Sequence, residues 1–113
     1  MSTAVQMILS KYVNELEKIY GISLKSVILY GSYARGDFSE ESDIDIMILL
    51  DLDDMLIKNY RHELSGITYD FNMDYDIDIK PIAKSLEHFE KWEKIYPFYK
   101  NVKSEGVKLF RRL

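Results

Sequence analysis

A chain of 113 residues suffices for one domain, 1–113, with a modest core, and leaves no room for a separate acceptor-binding domain. Its 15 basic and 19 acidic residues give a net charge of −4, which argues against the basic face that a phosphate-tracking nucleic-acid binder requires. The absence of cysteine excludes disulfides, thiolate metal sites and a cysteine nucleophile, and with no bilayer-length apolar run or signal-peptide pattern the expected location is cytoplasmic.

Residues 3–20 carry Val5, Leu9, Tyr12, Leu16 and Ile19 at spacings of three and four, one face of an amphipathic helix. Ser2 or Thr3 can cap its start and Gly21 can end it. Lys25 to Tyr30 is rich in β-formers and too short for a helix, so it reads as the first strand. Gly31 then permits a sharp turn and close backbone approach to a ligand, and Ser32 adds a hydroxyl at the start of a single helical turn that Gly36 breaks. A polar loop at 39–42 leads to a second strand, Asp43 to Leu50, whose apolar run from Ile46 onward predicts burial on both faces.

The period of two makes the acidic start of that strand informative. Asp43 and Asp45 share a face with Cα atoms roughly 6.5–7 Å apart, while Ile44, Ile46 and Ile48 point into a core. Two carboxylates so placed repel, which raises at least one pKa, and as hard oxygen donors they suit a divalent cation. Backbone N–H groups at the Gly31-Ser32 turn suit phosphate oxygens. Arg35 is placed to reach a triphosphate or to pair with Asp37 or Glu41, and both readings stand.

Farther along, Asp51-Leu-Asp-Asp54 reads as the negatively charged cap of a helix with Met55, Leu56, Tyr60 and Leu64 as its apolar stripe, ended by Ser65-Gly66. Residues 73–80 alternate, with Asp74, Asp76, Asp78 and Lys80 on one face, and predict a third strand that Pro81 stops. A helix over 83–96 with Leu86, Phe89, Trp92 and Ile95 on its apolar face follows. Pro97 then starts a shorter helix, Gly106 closes it, and Val107 to Phe110 supplies a small edge strand. His62 and His88 read as exposed, and Arg111-Arg112 as a solvated tail.

Gly31-Ser32, ten residues and then Asp43-Ile44-Asp45, within Gly-Ser-Tyr-Ala-Arg-Gly and Ser-Asp-Ile-Asp-Ile, resembles the signature of the DNA polymerase β-like nucleotidyltransferase superfamily and its minimal nucleotidyltransferase branch. The resemblance implies an α/β (α+β) fold with a small mixed sheet, helices packed on it and active-site carboxylates on its strands. It also implies ATP as donor, two Mg²⁺ ions held by Asp43, Asp45 and a third acid, and triphosphate binding by Gly31 and Ser32, with Arg35 a further candidate. In similar proteins the third acid often stands three residues before a proline, which selects Asp78 ahead of Asp76. Minimal nucleotidyltransferases of this kind are similar to the antitoxin half of HEPN/MNT toxin-antitoxin pairs, which adenylylates a tyrosine of the HEPN ribonuclease toxin. Two other readings of the same residues are a non-catalytic module that neutralises a HEPN partner and a transferase acting on a small aminoglycoside-like molecule.

Overall fold

The computed structural model describes residues 1–39 and 41–113; Glu40, part of the polar loop expected at 39–42, lies outside the described residues. Helix α1, Thr3–Tyr20, starts where the Ser2 hydroxyl accepts from the Val5 N–H at 3.2 Å, and it ends at Gly21, whose φ of 59° lies in the left-handed region. A 3-10 turn at Gly21–Ser23 leads into β1, Leu24–Tyr30. The single turn α2, Ser32–Arg35, then separates β1 from β2, Ile44–Leu50. The next two helices are α3, Asp54–Lys58, and α4, Arg61–Tyr75. Strand β3, Ile79–Ser85, runs directly into α5, Leu86–Trp92, and the chain closes with α6, Pro97–Glu105, and β4, Val107–Arg111.

The four strands form one mixed sheet in the order β3-β2-β1-β4, with β1 antiparallel to both β2 and β4 and β3 parallel to β2. On one face α1 and α4 cover Val27, Leu29, Ile44, Ile46, Ile48 and Ile79. On the other, Phe89 of α5 and Tyr99 and Val102 of α6 cover Ile28, Met47 and Leu49. Burying each of these large apolar side chains contributes about 1.5–3 kcal/mol, and β2, covered on both sides beyond Asp45, is the most protected element. No helix among the described residues is long and apolar enough to cross a membrane.

The expected alternating strand at 73–80 is not there. Met73 to Tyr75 finish α4, Asp76 terminates it in the left-handed conformation at φ 53°, and pairing begins at Ile79. Met73 and Tyr75 are exposed at the end of that helix. The cause lies upstream: α4 does not stop at Ser65-Gly66. Gly66 costs about 1 kcal/mol in a helix interior, and Leu64, Ile67, Thr68 and Phe71 against the core outweigh it. The first part of the expected helix is separate, since α3 ends at Lys58. Asp53 caps it as read, accepting from the Leu56 N–H at 2.9 Å, but Met55 is 73% exposed and Leu56 also faces solvent; Ile57 and Tyr60 do the packing.

Pro81 does not stop the sheet either; it sits inside β3. The Ile44 N–H donates to the Asp78 carbonyl at 2.8 Å, so the even-numbered residues of β3 bond to β2 and the odd ones turn their N–H outward. On an edge strand a proline at an odd position removes no ladder bond. The outward groups of Ile79 are taken by the Asn72 side-chain amide, which accepts from the Ile79 N–H at 2.8 Å and donates to its carbonyl at 3.3 Å.

With β3 running to Ser85, the helix expected at 83–96 shortens to α5, capped by the Ser85 hydroxyl accepting from the His88 N–H at 3.2 Å. Phe89 is buried as read, whereas Ile95 falls in the following turn and is exposed. His88 is half-buried beside Trp92, Tyr96 and Tyr99 instead of exposed. The last two arginines are no loose tail. Arg111 belongs to β4, and Arg112 donates to the Gly21 and Leu24 carbonyls at 2.8 and 3.1 Å and to Glu17 at 2.9 Å, clasping the chain's end to α1.

Candidate active site

Tyr30 and Asp45 are partners across the β1–β2 ladder, so the turn that follows Tyr30 is delivered next to the acidic start of β2. Gly31 takes φ 75°, and a Cβ built there would overlap a carboxylate oxygen of Asp45. Glycine is required twice over, by the backbone angle and by the acid lying against it. Beyond Gly31, α2 is closed by the Arg35 and Gly36 N–H groups donating to the Gly31 and Ser32 carbonyls at 3.1 and 2.9 Å. Gly36 then leaves the helix in the left-handed region. Among the described residues the Ser32 hydroxyl makes no hydrogen bond.

Asp43 is exposed just ahead of β2, and Asp45 is half-buried on the strand itself. Burial pushes the Asp45 carboxyl above the usual range, and the neighbouring Asp43 and, more weakly, Asp78 push it the same way, against the pull of Arg35 and Lys80. The repulsion anticipated from the Asp-x-Asp spacing is therefore present, though withdrawal from water is its larger companion. Tyr30 beside it is pushed up to about 12 by burial and by the Asp45 charge.

The parallel β2–β3 register sets Ile44 against Ile79, which brings Asp78 alongside Asp43. Asp78 is exposed, with one carboxylate oxygen 3.5 Å from the Lys80 ammonium. Asp76, the other candidate for a third acid, is held in the cap of α4 and is not among the charges acting on Asp45. With Asp78 it borders a cleft of about 200 Å³ flanked by Tyr33 and Ser42. Tyr33 stacks on Phe38 with ring centroids 4.3 Å apart, making an aromatic wall on this side.

Arg35 takes the ion-pair alternative, but only in part with the partner expected. It pairs with Asp37 at 3.3 Å and with Glu105, at the end of α6, at 3.0 Å. Lys80 also belongs to this neighbourhood. It lies opposite Asp45 in register, and no local pattern reveals it because strand pairing alone brings it there.

The donors at this end of the sheet are carboxylate oxygens, the chemistry that hard divalent cations prefer, and the raised Asp45 pKa marks negative charge that a cation would relieve. Asp43 and Asp45 thus fit a cation whose remaining ligands come from elsewhere. Among the described residues no three acidic or imidazole groups converge tightly enough to hold an ion by themselves.

A family model described as a nucleotidyltransferase domain matches residues 9–108. Among curated proteins the chain is 39% identical over 103 residues to one from Methanocaldococcus jannaschii named as a protein adenylyltransferase, MJ0604, spanning 90% of this chain and 94% of that protein. A second from the same organism with the same designation, MJ0141, is 37% identical over 75 residues, 66% of this chain and 74% of the other. Two solved structures share the fold at low identity. One, a toxin-antitoxin with AMP-PNP, has a TM-score of 0.57 at 21% identity. The other, the toxin-antitoxin MntA-HpeT with two aspartates changed to glutamate, has a TM-score of 0.55 at 20%. Each comparison covers 91% of this chain and 73% of the other.

Proposed function

Because the chain belongs to the nucleotidyltransferase domain family and is an enzyme of that class, we propose that it moves AMP from ATP to a tyrosine hydroxyl of a HEPN toxin and so acts as that toxin's antitoxin. The observation that carries this reading is the contact between Gly31 and the Asp45 carboxylate: the turn suited to gripping phosphates and the acid suited to a metallated phosphate are one surface. Relatives named as protein adenylyltransferases support a protein acceptor, and structural neighbours that are toxin-antitoxin complexes, one with an ATP analogue, support the partner and the donor.

In this reading the backbone N–H groups at Gly31 and Ser32, with the unengaged Ser32 hydroxyl, hold the terminal phosphates. Arg35 exchanges its exposed partners Asp37 and Glu105 for the triphosphate. Asp43 and Asp45, with Asp78, hold Mg²⁺, expected as two ions, which supplies charge neutralisation at the phosphates and a lowered pKa for the acceptor hydroxyl. The hydroxyl oxygen forms the bond to the α-phosphorus, the bond to pyrophosphate breaks, and Asp78, open to solvent, takes the hydroxyl proton.

Replacing Asp43 and Asp45 together by Asn tests the assignment with α-labelled ATP and a HEPN partner. Label transfer to the partner should fall by at least about 10²-fold, the scale of losing a principal electrostatic element of a site, while the circular dichroism spectrum stays that of the parent. Transfer retained by the double variant refutes the roles given to these acids. Label recovered in a small product transfers the reading to a metabolite acceptor, and silencing of the toxin without transfer leaves a stoichiometric binding module.

A further inference from the structure

Lys80 is the basic residue that the fold sets directly against the acidic end of β2. It is the register partner of Asp45 in the parallel β2–β3 pair, and Ile82, two residues on, packs against the cluster that holds Met47 and Leu49. The period of two therefore turns the Lys80 side chain onto the same face as Asp45. Its backbone is fixed there, because even-numbered residues of β3 bond to β2 and the residue ahead of Pro81 is confined to extended conformations.

The ammonium stands 3.5 Å from one oxygen of Asp78, and among the described residues Lys80 is the one cation paired with any of Asp43, Asp45 and Asp78. Burial and Asp43 push the Asp45 carboxyl up, and Lys80 is one of two cations that pull it back. The other, Arg35, is taken up by Asp37 and Glu105. The Lys80–Asp78 pair is open to water, its side chains 56% and 51% exposed, so it contributes little to stability and exchanges readily. A flexible cation whose backbone is pinned beside a cluster of acids, and whose present pairing is weak, is suited to a change of partner.

We propose that Lys80 is a further catalytic residue of the transfer: it holds Asp78 while the site is empty and moves to the α-phosphate of the donor once that acid is engaged by the metal-bound nucleotide. There its ammonium meets the non-bridging oxygens, where negative charge must be stabilised as the acceptor oxygen bonds to the α-phosphorus and the bond to pyrophosphate breaks. Lys80 keeps its proton throughout, and the proton of the hydroxyl passes to Asp78. Its second position depends on the roles given above to Asp43, Asp45 and Asp78. Lys80 thus has two opposite effects: it competes with a divalent ion for the acids, and it favours the reaction once the site is filled.

One variant should show both effects with opposite signs, which a merely structural lysine would not. Mg²⁺ is titrated into the full chain without nucleotide at about 0.1 M salt, followed by the amide ¹H–¹⁵N shifts of Asp43, Asp45 and Asp78, and label transfer from α-labelled ATP to the HEPN partner is measured beside it. Lys80→Gln should bind Mg²⁺ about three- to tenfold more tightly, because a competing positive charge is gone. The same variant should transfer label about 10- to 10²-fold more slowly in kcat, with the KM for ATP within about threefold of the parent, as for an interaction made only in the transition state. Lys80→Arg, which keeps the charge, should return Mg²⁺ affinity to the parent value and restore part of the rate. Lys84→Gln, an equal change of net charge farther along β3, should alter neither. Unchanged or weaker Mg²⁺ binding by Lys80→Gln overturns the proposal, and so does an unchanged kcat or an equal gain from Lys84→Gln. The Mg²⁺ measurement does not depend on the identity of the acceptor. If the parent shows no saturable response, or Asp43→Asn with Asp45→Asn binds Mg²⁺ as the parent does, the metal site itself is misassigned and Lys80 has nothing to compete with.

Discussion

Along β2, Ile44, Ile46, Ile48 and Leu50 face α1 and α4, whereas Asp45, Met47 and Leu49 face α5 and α6. The first row is apolar from end to end and closed over. The second begins with a carboxylate and becomes core only at its next residue. α1 spans five turns, α5 and α6 are shorter, and on their side Asp45 stays half-buried where Met47 and Leu49 are closed over. The contrast teaches that the candidate site occupies the end of a buried strand at which one of its two faces stays partly open to solvent. Asp45 is thereby held by a strand packed on its other face, which suits the accurate placement that the role proposed for it would need.

Substitutions on the two rows should separate fold from chemistry. Ile48→Ala on the closed row opens a cavity in the core and should cost about 2–5 kcal/mol, read as a lowered urea midpoint with an unchanged slope. A loss under 1 kcal/mol would mean that the row is not packed as described. Gly31→Ala sits where the rows diverge. Its left-handed backbone and the overlap with Asp45 should cost about 1–3 kcal/mol, and displacement of the acid should lower label transfer by about 10²-fold. Equal loss of transfer and of folded protein would instead make that defect one of stability alone.

Tyr12→Phe probes a polar bond inside the closed side. Removing the hydroxyl leaves Thr68 without its 2.7 Å partner, and a loss of about 1–2 kcal/mol is expected by denaturant titration. The smallest effect concerns Asp45 itself. Its pKa is raised on folding, so the native state holds that proton more firmly than the unfolded chain, and stability falls as pH rises from the ordinary carboxylate range through the raised value. Without divalent cations, Asp45→Asn should therefore be slightly more stable than the parent at pH 7, the advantage vanishing near pH 3. The reverse order at pH 7 would show that the acid is not under charge stress. Added Mg²⁺ should stabilise the parent more than the variant.

The legible parts of the sequence were those whose signal is local. The spacing of Leu9, Tyr12 and Leu16, the turn at Gly31, the alternation from Asp43 to Ile48, and Pro97 with Gly106 around α6 all appear as read. Residues 61–85 are not legible locally because their punctuation depends on neighbours. Gly66 ends a helix only where packing does not carry the helix past it, and Pro81 ends a strand only where its N–H would be needed. The alternation of Met73 to Asp78 fitted a strand while α4 and its left-handed cap occupied most of it. At the site, Asp43 and Asp45 follow from a period of two, but Lys80 opposite Asp45 needs the parallel register and Glu105 beside Arg35 needs the fold to bring α6 back.

The Asn72 amide on Ile79 has a consequence for the behaviour of many molecules together. An outer strand with free backbone groups is a template on which another chain can add itself, and sheets left open in this way tend toward fibres. Asn72 imitates that incoming strand for one residue and Pro81 withholds a donor two residues later, so the start of β3 is a poor seed. Asn72→Ala would uncover it, and the change should appear as growing turbidity in concentrated samples before any shift in the melting curve.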